Sequence, residues 1–238
     1  MGLERKPALR LSELASQHRL TVAQAERLAC LLLALAAEPA PPTTVTAPAD
    51  AVDVHLADSL SGLVADDFPA AVNIADIGAG AGFPGLALAL ALPSAHVDLI
   101  EATGRKCETI ERLAAAAGVS NAAAVHARAE EVASARPDAY DVVTARALAP
   151  LAVLVEYAAP LLVEGGCLIA WKGSLEDEEI VGGAHAAALL GLSPPEVVPV
   201  RPFPGARDRA LVTLRKISPT PERFPRRPGV AAKRPLVS

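Results

Sequence analysis

The sequence predicts an α/β fold in which a mostly parallel sheet of seven strands carries helices on both faces, with a small helical extension at the N-terminus. Three observations predict it. From Val72 onward, short apolar runs that suit strands alternate with segments of helical pattern, and such alternation is typical of parallel sheets covered by helices. A glycine-rich turn, GAGAGFPG (78–85), joins the first run to the first of these helices. Two helical patterns precede a Pro/Ala/Thr linker at 38–50, which separates them from the alternating region.

The composition indicates a folded chain. Hydrophobic residues make up 52% and charged residues 21% of its 238 residues, which is enough apolar material for a sizeable core. No apolar run reaches the roughly 18 unbroken residues of a membrane span, and the charged start MGLERKPALRLSEL lacks the apolar core of a signal peptide. We therefore expect a cytoplasmic protein with no membrane partner. Cys30, Cys107 and Cys167 are far apart and form no CxxC pair, so we expect reduced, mostly buried thiols and no metal site.

The N-terminal part is predicted to be helical. Apolar residues follow helical spacing within residues 8–37, and Thr21 with Gln24 forms a capping-box pattern at the start of the second helix. After the linker, VDVHLADSLSGLVA (52–65) is amphipathic enough for a further helix. The expected organisation is a helical extension with its linker at 1–52, a main domain at 53–217 and a basic tail at 218–238.

The main domain alternates between strands and helices. Strands are predicted at 72–77, 96–102, 122–127, 141–146, 165–173, 195–200 and 210–216. Helices are predicted at 84–92, 108–118, 129–135, 147–162 and 176–191. Pro84 suits the first position of its helix, Gly118 ends the next one, and Gly182-Gly183 is expected to interrupt the last.

A ligand site is expected at one edge of this sheet. In open parallel sheets, ligands bind at the carboxyl ends of the strands, near the switch in strand order. The loops in question follow Ile77, Ile100, His126, Ala145 and Ala170, and each of them holds polar or glycine residues. This coincidence is the first indication of function.

The glycine turn fits two kinds of ligand. In one register, Gly80-Ala81-Gly82-Phe83-Pro84-Gly85 matches the G-x-G-x-x-G fingerprint of dinucleotide binding, which places a pyrophosphate on a helix N-terminus. In the other, Gly78, Gly80 and Gly82 follow directly after the strand that holds Asp76. A carboxylate there repels pyrophosphate but suits the ammonium group of S-adenosylmethionine. The pattern therefore favours a methyltransferase over an NAD-dependent oxidoreductase, which stays open as the alternative.

Glu101 ends the second predicted strand, about 20 residues after the glycines. An acidic residue at this spacing binds the ribose hydroxyls of a nucleotide cofactor. Both classes of enzyme use such an acid, so Glu101 supports a cofactor site without discriminating between them.

Several segments, in this order and spacing, resemble the ribosomal small-subunit methyltransferase G family, formerly called glucose-inhibited division protein B. They are HLADSL (55–60), DIGAGAGFPG (76–85), LIEATGRK (99–106), HARAEE (126–131), DVVTARALAPL (141–151), AWKG (170–173) and the tail SPTPERFPRRPGVAAKRPL (218–236). The resemblance covers about residues 53 to 236. The GFPG turn together with the PRRxG tail is far more specific than a glycine loop alone.

The resemblance implies a class I, Rossmann-like, S-adenosylmethionine-dependent methyltransferase. Its activity would be methylation of N7 of guanine 527 in the 530 loop of 16S rRNA, with the 30S subunit or an assembly intermediate as partner and no DNA. Carried over by position, Gly78 and Phe83 would line the cofactor, and Ala129 and Glu130 would hold its adenine. Arg146 would reach the cofactor or the target base.

The implied chemistry limits the roles to be assigned. Guanine N7 has a free lone pair, so it attacks a methyl group without losing a proton and needs no general base. Arg146 is therefore the candidate for positioning, through a phosphate, guanine O6 or the cofactor carboxylate, with a structural salt bridge as the alternative. RNA contacts that weaken with salt are expected from five basic residues: Lys172, Arg226, Arg227, Lys233 and Arg234.

The charge distribution leaves the tail ambiguous. Residues 214–238 carry a net charge of +6, whereas the first 213 residues carry −11. A basic end on an acidic body suits phosphate binding, but charge alone favours a solvated, disordered terminus.

The linker departs from the family pattern. Relatives have a Trp and an Asn-Leu-Thr stretch there, whereas this chain reads EPAPPTTVTAPAD, with Thr44-Val45-Thr46 as the remnant. We expect this change to leave the cofactor motifs unaffected and to bear on RNA docking. A non-catalytic ribosome-binding protein on a methyltransferase fold is therefore a second alternative.

Overall fold

The computed structural model describes residues 2–237; Met1 and Ser238, the outer ends of the first and last predicted segments, lie outside them. The chain begins with α1 (Arg5–Gln17) and α2 (Val22–Ala37). The Thr21 hydroxyl accepts the backbone N–H of Gln24, and the Gln24 side chain accepts the N–H of Thr21. The predicted capping box is confirmed, and it satisfies N–H groups that a helix start leaves unpaired.

The helix predicted over 52–65 is part of one helical run whose pitch changes along it. α3 (Pro48–Ala51) passes into a π-helical turn (Val52–Ala57), α4 (Asp58–Leu60) and a 3₁₀ turn (Ser61–Val64). A second 3₁₀ turn (Phe68–Ala70) leads into the sheet. π-helical turns occur frequently at functional sites, and this one contains His55.

All seven predicted strands are present, each within three residues of its expected bounds. They are β1 (Asn73–Ile77), β2 (His96–Glu101), β3 (Ala122–His126), β4 (Tyr140–Arg146), β5 (Leu162–Lys172), β6 (Glu196–Pro199) and β7 (Ala210–Arg215). The helices that accompany them are α5 (Gly85–Ala91), α6 (Gly104–Ala116), α7 (Ala129–Ala135), α8 (Leu151–Ala158), α9 (Asp177–Leu190) and α10 (Val230–Lys233).

The strand order is β3-β2-β1-β4-β5-β7-β6. Neighbouring strands from β3 to β5 run parallel, and β7 is antiparallel to both β5 and β6, so the mostly parallel sheet is confirmed. The order reverses between β1 and β4. Because ligands bind at such a switch point, the carboxyl ends of these two strands are where a site is expected.

Helices cover both faces of the sheet, as predicted. In β1, Ile74 belongs to an apolar cluster with α1, α2, α5 and α6, whereas Ala75 and Ile77 belong to a second cluster with α7, α8 and α9. Leu28 and Leu32 of α2 are fully buried in the first cluster. The N-terminal helices therefore share a core with the sheet.

Three helices differ from the prediction, of which α6 begins four residues early, at Gly104. α8 begins only at Leu151, after Pro150, because proline disfavours helical backbone in the residue before it. α9 continues without interruption through Gly182 and Gly183. A Cβ atom on Gly183 would lie 2.4 Å from Leu151 Cδ2, so glycine here permits close packing of α9 against α8.

The prediction of a solvated, disordered terminus is wrong. Phe224 and Ala231 are buried, the former in the apolar cluster of α7, α8 and α9. The guanidinium of Arg226 forms a bidentate ion pair with Glu156 of α8, a residue that is 2% exposed. Apolar burial and this ion pair hold the tail on the domain.

Candidate cofactor and RNA site

The glycine turn lies at the carboxyl end of β1. Gly78, Gly80 and Gly82 all have positive φ angles, of 67°, 59° and 89°, which glycine adopts without steric cost. A Cβ atom on Gly78 would lie 2.5 Å from Leu148 Cδ1, and one on Gly82 would lie 2.6 Å from Leu86 Cδ1. The turn therefore brings bare backbone close to its surroundings, with Gly78 and Gly80 at the cleft and Gly82 turned towards α5.

Asp76 lies behind this turn, fully buried in β1. One carboxylate oxygen accepts the backbone N–H of Gly85, at 2.9 Å, and the other accepts the Thr144 hydroxyl, at 3.0 Å. Burial raises the pKa of Asp76 to about 6, against the lowering effect of these two hydrogen bonds. Asp76 does not line the cleft, and it binds the first residue of α5 instead of projecting towards a ligand.

Glu101 lies at the end of β2 and does line the cleft. Its Oε2 accepts the N–H of Gly80, at 3.1 Å, and its Oε1 accepts the N–H of Thr103, at 2.9 Å. The Lys106 ammonium is 3.8 Å from Oε2. Two backbone donors thus fix the carboxylate in place, and each oxygen keeps acceptor capacity for a hydroxyl group.

Ala129 and Glu130, in the first turn of α7, also line the cleft. Glu130 is 5% exposed, and its Oε1 accepts the backbone N–H of Gly229 from the tail, at 2.8 Å. Sequence reasoning did not anticipate this contact, which joins residues 99 positions apart. The tail therefore contacts a residue of the cleft wall directly.

Arg146, at the end of β4, is held by the helical run before the sheet. Its Nη1 donates to the Val54 carbonyl and to Asp58 Oδ2, both at 3.0 Å, and its guanidinium carbon lies 5.9 Å from the centre of the Phe83 ring. A structural salt bridge, the alternative role considered for Arg146, is thus present. The side chain nevertheless lines the cleft, so the two roles are compatible.

His55 lies next to Arg146, and its imidazole is neutral. Its Nε2 is 2.9 Å from the Val45 carbonyl and its Nδ1 is 3.3 Å from Arg146 Nη2. A carbonyl only accepts and a guanidinium only donates, so the proton lies on Nε2. Burial lowers the pKa of His55, which agrees with the neutral form. The ring stacks on Phe83, with centroids 4.7 Å apart.

These side chains surround a cleft of about 400 Å³ at the switch between β1 and β4. Seven of the nine predicted cofactor residues line it: Gly78, Gly80, Phe83, Glu101, Ala129, Glu130 and Arg146. Pro42 and Thr43 of the linker line it too, so the altered linker reaches this cleft. His55 holds the linker there, a contact between distant segments that no local pattern indicates.

The five predicted RNA-contact residues divide into two groups. The ammonium of Lys172 is 2.5 Å from Glu179 and bonds the Ala149 carbonyl, and Arg226 pairs with Glu156, so both cations are engaged within the protein. Three remain exposed on the tail: Arg227, Lys233 and Arg234.

Membrane-spanning helices and metal-binding clusters are both absent from the described range, residues 2–237. No helix in this range is both long enough and apolar enough to span a bilayer. No group of three or more His, Cys, Asp or Glu side chains in the same range is arranged to hold a metal ion.

Comparison with known proteins gives consistent matches. Residues 24–202 match the family model described as rRNA small subunit methyltransferase G. The protein of that name from Chloroflexus aggregans is 46% identical over 184 residues, with 76% of each chain covered. Its counterpart from Pelotomaculum thermopropionicum is 41% identical over 198 residues, with 82% of each chain covered.

Solved structures support the fold. A predicted O-methyltransferase from Agrobacterium tumefaciens superposes with a TM-score of 0.53 at 28% identity, over 68% of this chain and 81% of that one. The S-adenosylmethionine-dependent methyltransferase SibL superposes with a TM-score of 0.57 at 16% identity, over 89% of this chain and 74% of that one. The sheet and its helices are thus those of class I methyltransferases.

Proposed function

Because the chain belongs to the rRNA small subunit methyltransferase G family, we propose that it transfers a methyl group from S-adenosylmethionine to N7 of guanine 527 in the 530 loop of 16S rRNA. The proposed substrate is the 30S subunit or an assembly intermediate of it, which places the reaction in the cytoplasm. Methyltransferase activity on small-subunit rRNA follows from the family; the nucleotide and the atom are the proposal.

The observation that carries the choice of cofactor is the position of Asp76. A dinucleotide places its pyrophosphate on the free N–H groups at a helix N-terminus. Here the N–H of Gly85, the first residue of α5, already donates to the buried Asp76 carboxylate. A pyrophosphate at this place would meet both an occupied donor and a like charge, whereas S-adenosylmethionine has no phosphate. The site thus fits the methyl donor and disfavours NAD.

The residues of the cleft suit the parts of that cofactor. The Glu101 carboxylate, held by two backbone N–H groups, would accept the ribose hydroxyls. Ala129 and Glu130 would hold the adenine, and the bare backbone of Gly78 would lie against the remainder. When bound, the cofactor supplies an electrophilic methyl group.

The protein's part in the reaction is positioning. Methylation of N7 removes no proton, so no general base is required. Accordingly, the His55 imidazole is neutral, and both of its ring nitrogens face partners within residues 2–237. Arg146 has five N–H donors, and three face Val54, Asp58 and His55. The other two would orient guanine O6 or the cofactor carboxylate.

The test is transfer of labelled methyl groups to 30S subunits that lack the modification. Mapping the label by chemical cleavage at 7-methylguanine should give one site, guanine 527, and subunits already methylated there should accept none. Label on another base or another atom would overturn the proposal. An NAD-dependent oxidoreductase would bind NAD and transfer no label, and a non-catalytic ribosome-binding protein would bind the subunits and leave the label on the cofactor.

A further inference from the structure

The loop between β6 and β7 forms a basic surface that none of the family motifs includes. Residues 200–209 contain Arg201, Arg207 and Arg209, all exposed, against one acid, Asp208. Together with α1 this loop encloses an open groove of about 770 Å³, whose lining also includes Arg10. We propose that this groove, the β6–β7 groove, binds backbone phosphates of the RNA substrate. The inference rests on the proposed function.

The groove is held in shape by contacts beneath its surface. Arg10 of α1 donates from Nη2 to the Pro202 carbonyl, at 3.2 Å, and from Nε to Asp53, at 2.7 Å. Pro202 is buried, and Phe203 packs against the apolar cluster of α1, α2, α5 and α6. The loop is therefore anchored to α1 and to the π-helical turn, which positions its exposed arginines for a ligand.

The charges of the groove are available. Within residues 2–237, neither Arg201 nor Arg207 forms an ion pair, and Arg209 has only Asp58, at 3.9 Å. The body of the chain, residues 1–213, carries a net charge of −11, so a cluster of free guanidinium groups there is a local exception. Guanidinium groups bind phosphate in bidentate fashion, and an acidic body directs a polyanion towards the few basic surfaces.

The groove also adjoins the cofactor cleft. Asp58 lies between them: its Oδ1 is 3.9 Å from Arg209 Nε, and its Oδ2 is 3.0 Å from Arg146 Nη1. A strand of RNA whose base enters the cleft beside Arg146 thus passes within reach of the loop. Phosphate contacts position a substrate without reading its sequence, which is what a flanking groove of arginines supplies.

The test compares the parent with the double variant Arg201→Gln and Arg207→Gln. A matched control carries Arg19→Gln and Arg27→Gln, which remove the same charge from exposed positions near the α1–α2 turn and α2. Binding is measured to unmethylated 30S subunits and to protein-free 16S rRNA, from 50 to 200 mM salt. S-adenosylmethionine affinity is measured in parallel and should be equal in all three proteins.

For both RNA ligands, the double variant should bind more weakly than the parent at 50 mM salt. Loss of two phosphate contacts reduces the salt slope by about 1.4, so the parent should lose about sevenfold more affinity than the variant over that range. Equal slopes and affinities for parent and variant would overturn the proposal that the groove binds RNA, while the proposed methylation of guanine 527 would stand. A loss confined to 30S subunits would assign the groove to a ribosomal protein and overturn the RNA assignment. If the parent bound neither ligand, the groove and the proposed function would both fail.

Discussion

Replacing Arg226 by alanine removes the guanidinium to which both carboxylate oxygens of Glu156 are bonded. Glu156 is 2% exposed, so the variant leaves a buried carboxylate without its partner. Breaking a buried ion pair on one side costs about 3–5 kcal/mol. The Arg226 side chain is 24% exposed and water can reach the gap, which favours the lower end, about 3 kcal/mol. For a chain of this size, that lowers the melting temperature by about 6–12 °C.

The assay is urea unfolding at neutral pH, with two matched variants. Arg227→Ala changes the exposed neighbour and should alter the free energy of unfolding by less than about 0.5 kcal/mol. Arg226→Ala combined with Glu156→Gln removes the buried charge as well and should recover most of the loss. A loss below about 0.5 kcal/mol in Arg226→Ala, equal to that of Arg227→Ala, would refute the reasoning, because the tail would then not be held by this pair.

The same variant should weaken binding of S-adenosylmethionine. The tail that Arg226 holds also supplies the Gly229 N–H to Glu130 in the cleft wall. A hydrogen bond to a charged group is worth about 1.5–3 kcal/mol, which sets the upper limit on the cost of repositioning Glu130 when the cofactor binds. The cofactor's dissociation constant should therefore rise by at most about tenfold to hundredfold. Calorimetric titration measures it, and an unchanged constant in a folded variant would show that the tail does not position Glu130.

Three further predictions concern single positions. Arg146→Ala should reduce kcat/KM for methyl transfer by about a hundredfold, since misplacement of reacting groups costs that much; transfer at the parental rate would exclude its positioning role. Gly183→Ala should destabilise the fold by about 1–3 kcal/mol through its clash with buried Leu151, whereas Gly182→Ala in the same helix turn should be neutral or stabilising, as thermal unfolding of the pair would measure. The pKa of Asp76 is about 6 in the folded protein, against an ordinary value of 3.8, so the folded state favours the protonated carboxyl. Its protonation therefore stabilises the fold fully only below about pH 3.8, and this stabilisation is lost as pH rises through 6. Relative to Asp76→Asn, the parent should therefore lose about 2 kcal/mol of unfolding free energy between pH 4 and pH 8, and a pH-independent difference would contradict the burial argument.

The alternation of strands and helices, the glycine turn and the Thr21 capping box were predictable because each depends on residues close together in the chain. The position of the cleft was predictable as well. Parallel strands bring their carboxyl ends to one edge, so Gly78, Glu101 and Arg146 had to lie near one another once the strands were assigned.

What only the tertiary structure decided is which charged groups are free. Asp76 and Arg226 have side chains of the kind that bind ligands. Asp76 instead accepts the first N–H of α5, and Arg226 pairs with Glu156, 70 positions away. Conversely, Arg201 and Arg207 belong to no motif but lie exposed in the β6–β7 groove. Burial and pairing arise from contacts between distant segments. A local pattern specifies a side chain's chemistry and its place on a strand or helix, but the partner that neutralises it comes from elsewhere in the fold.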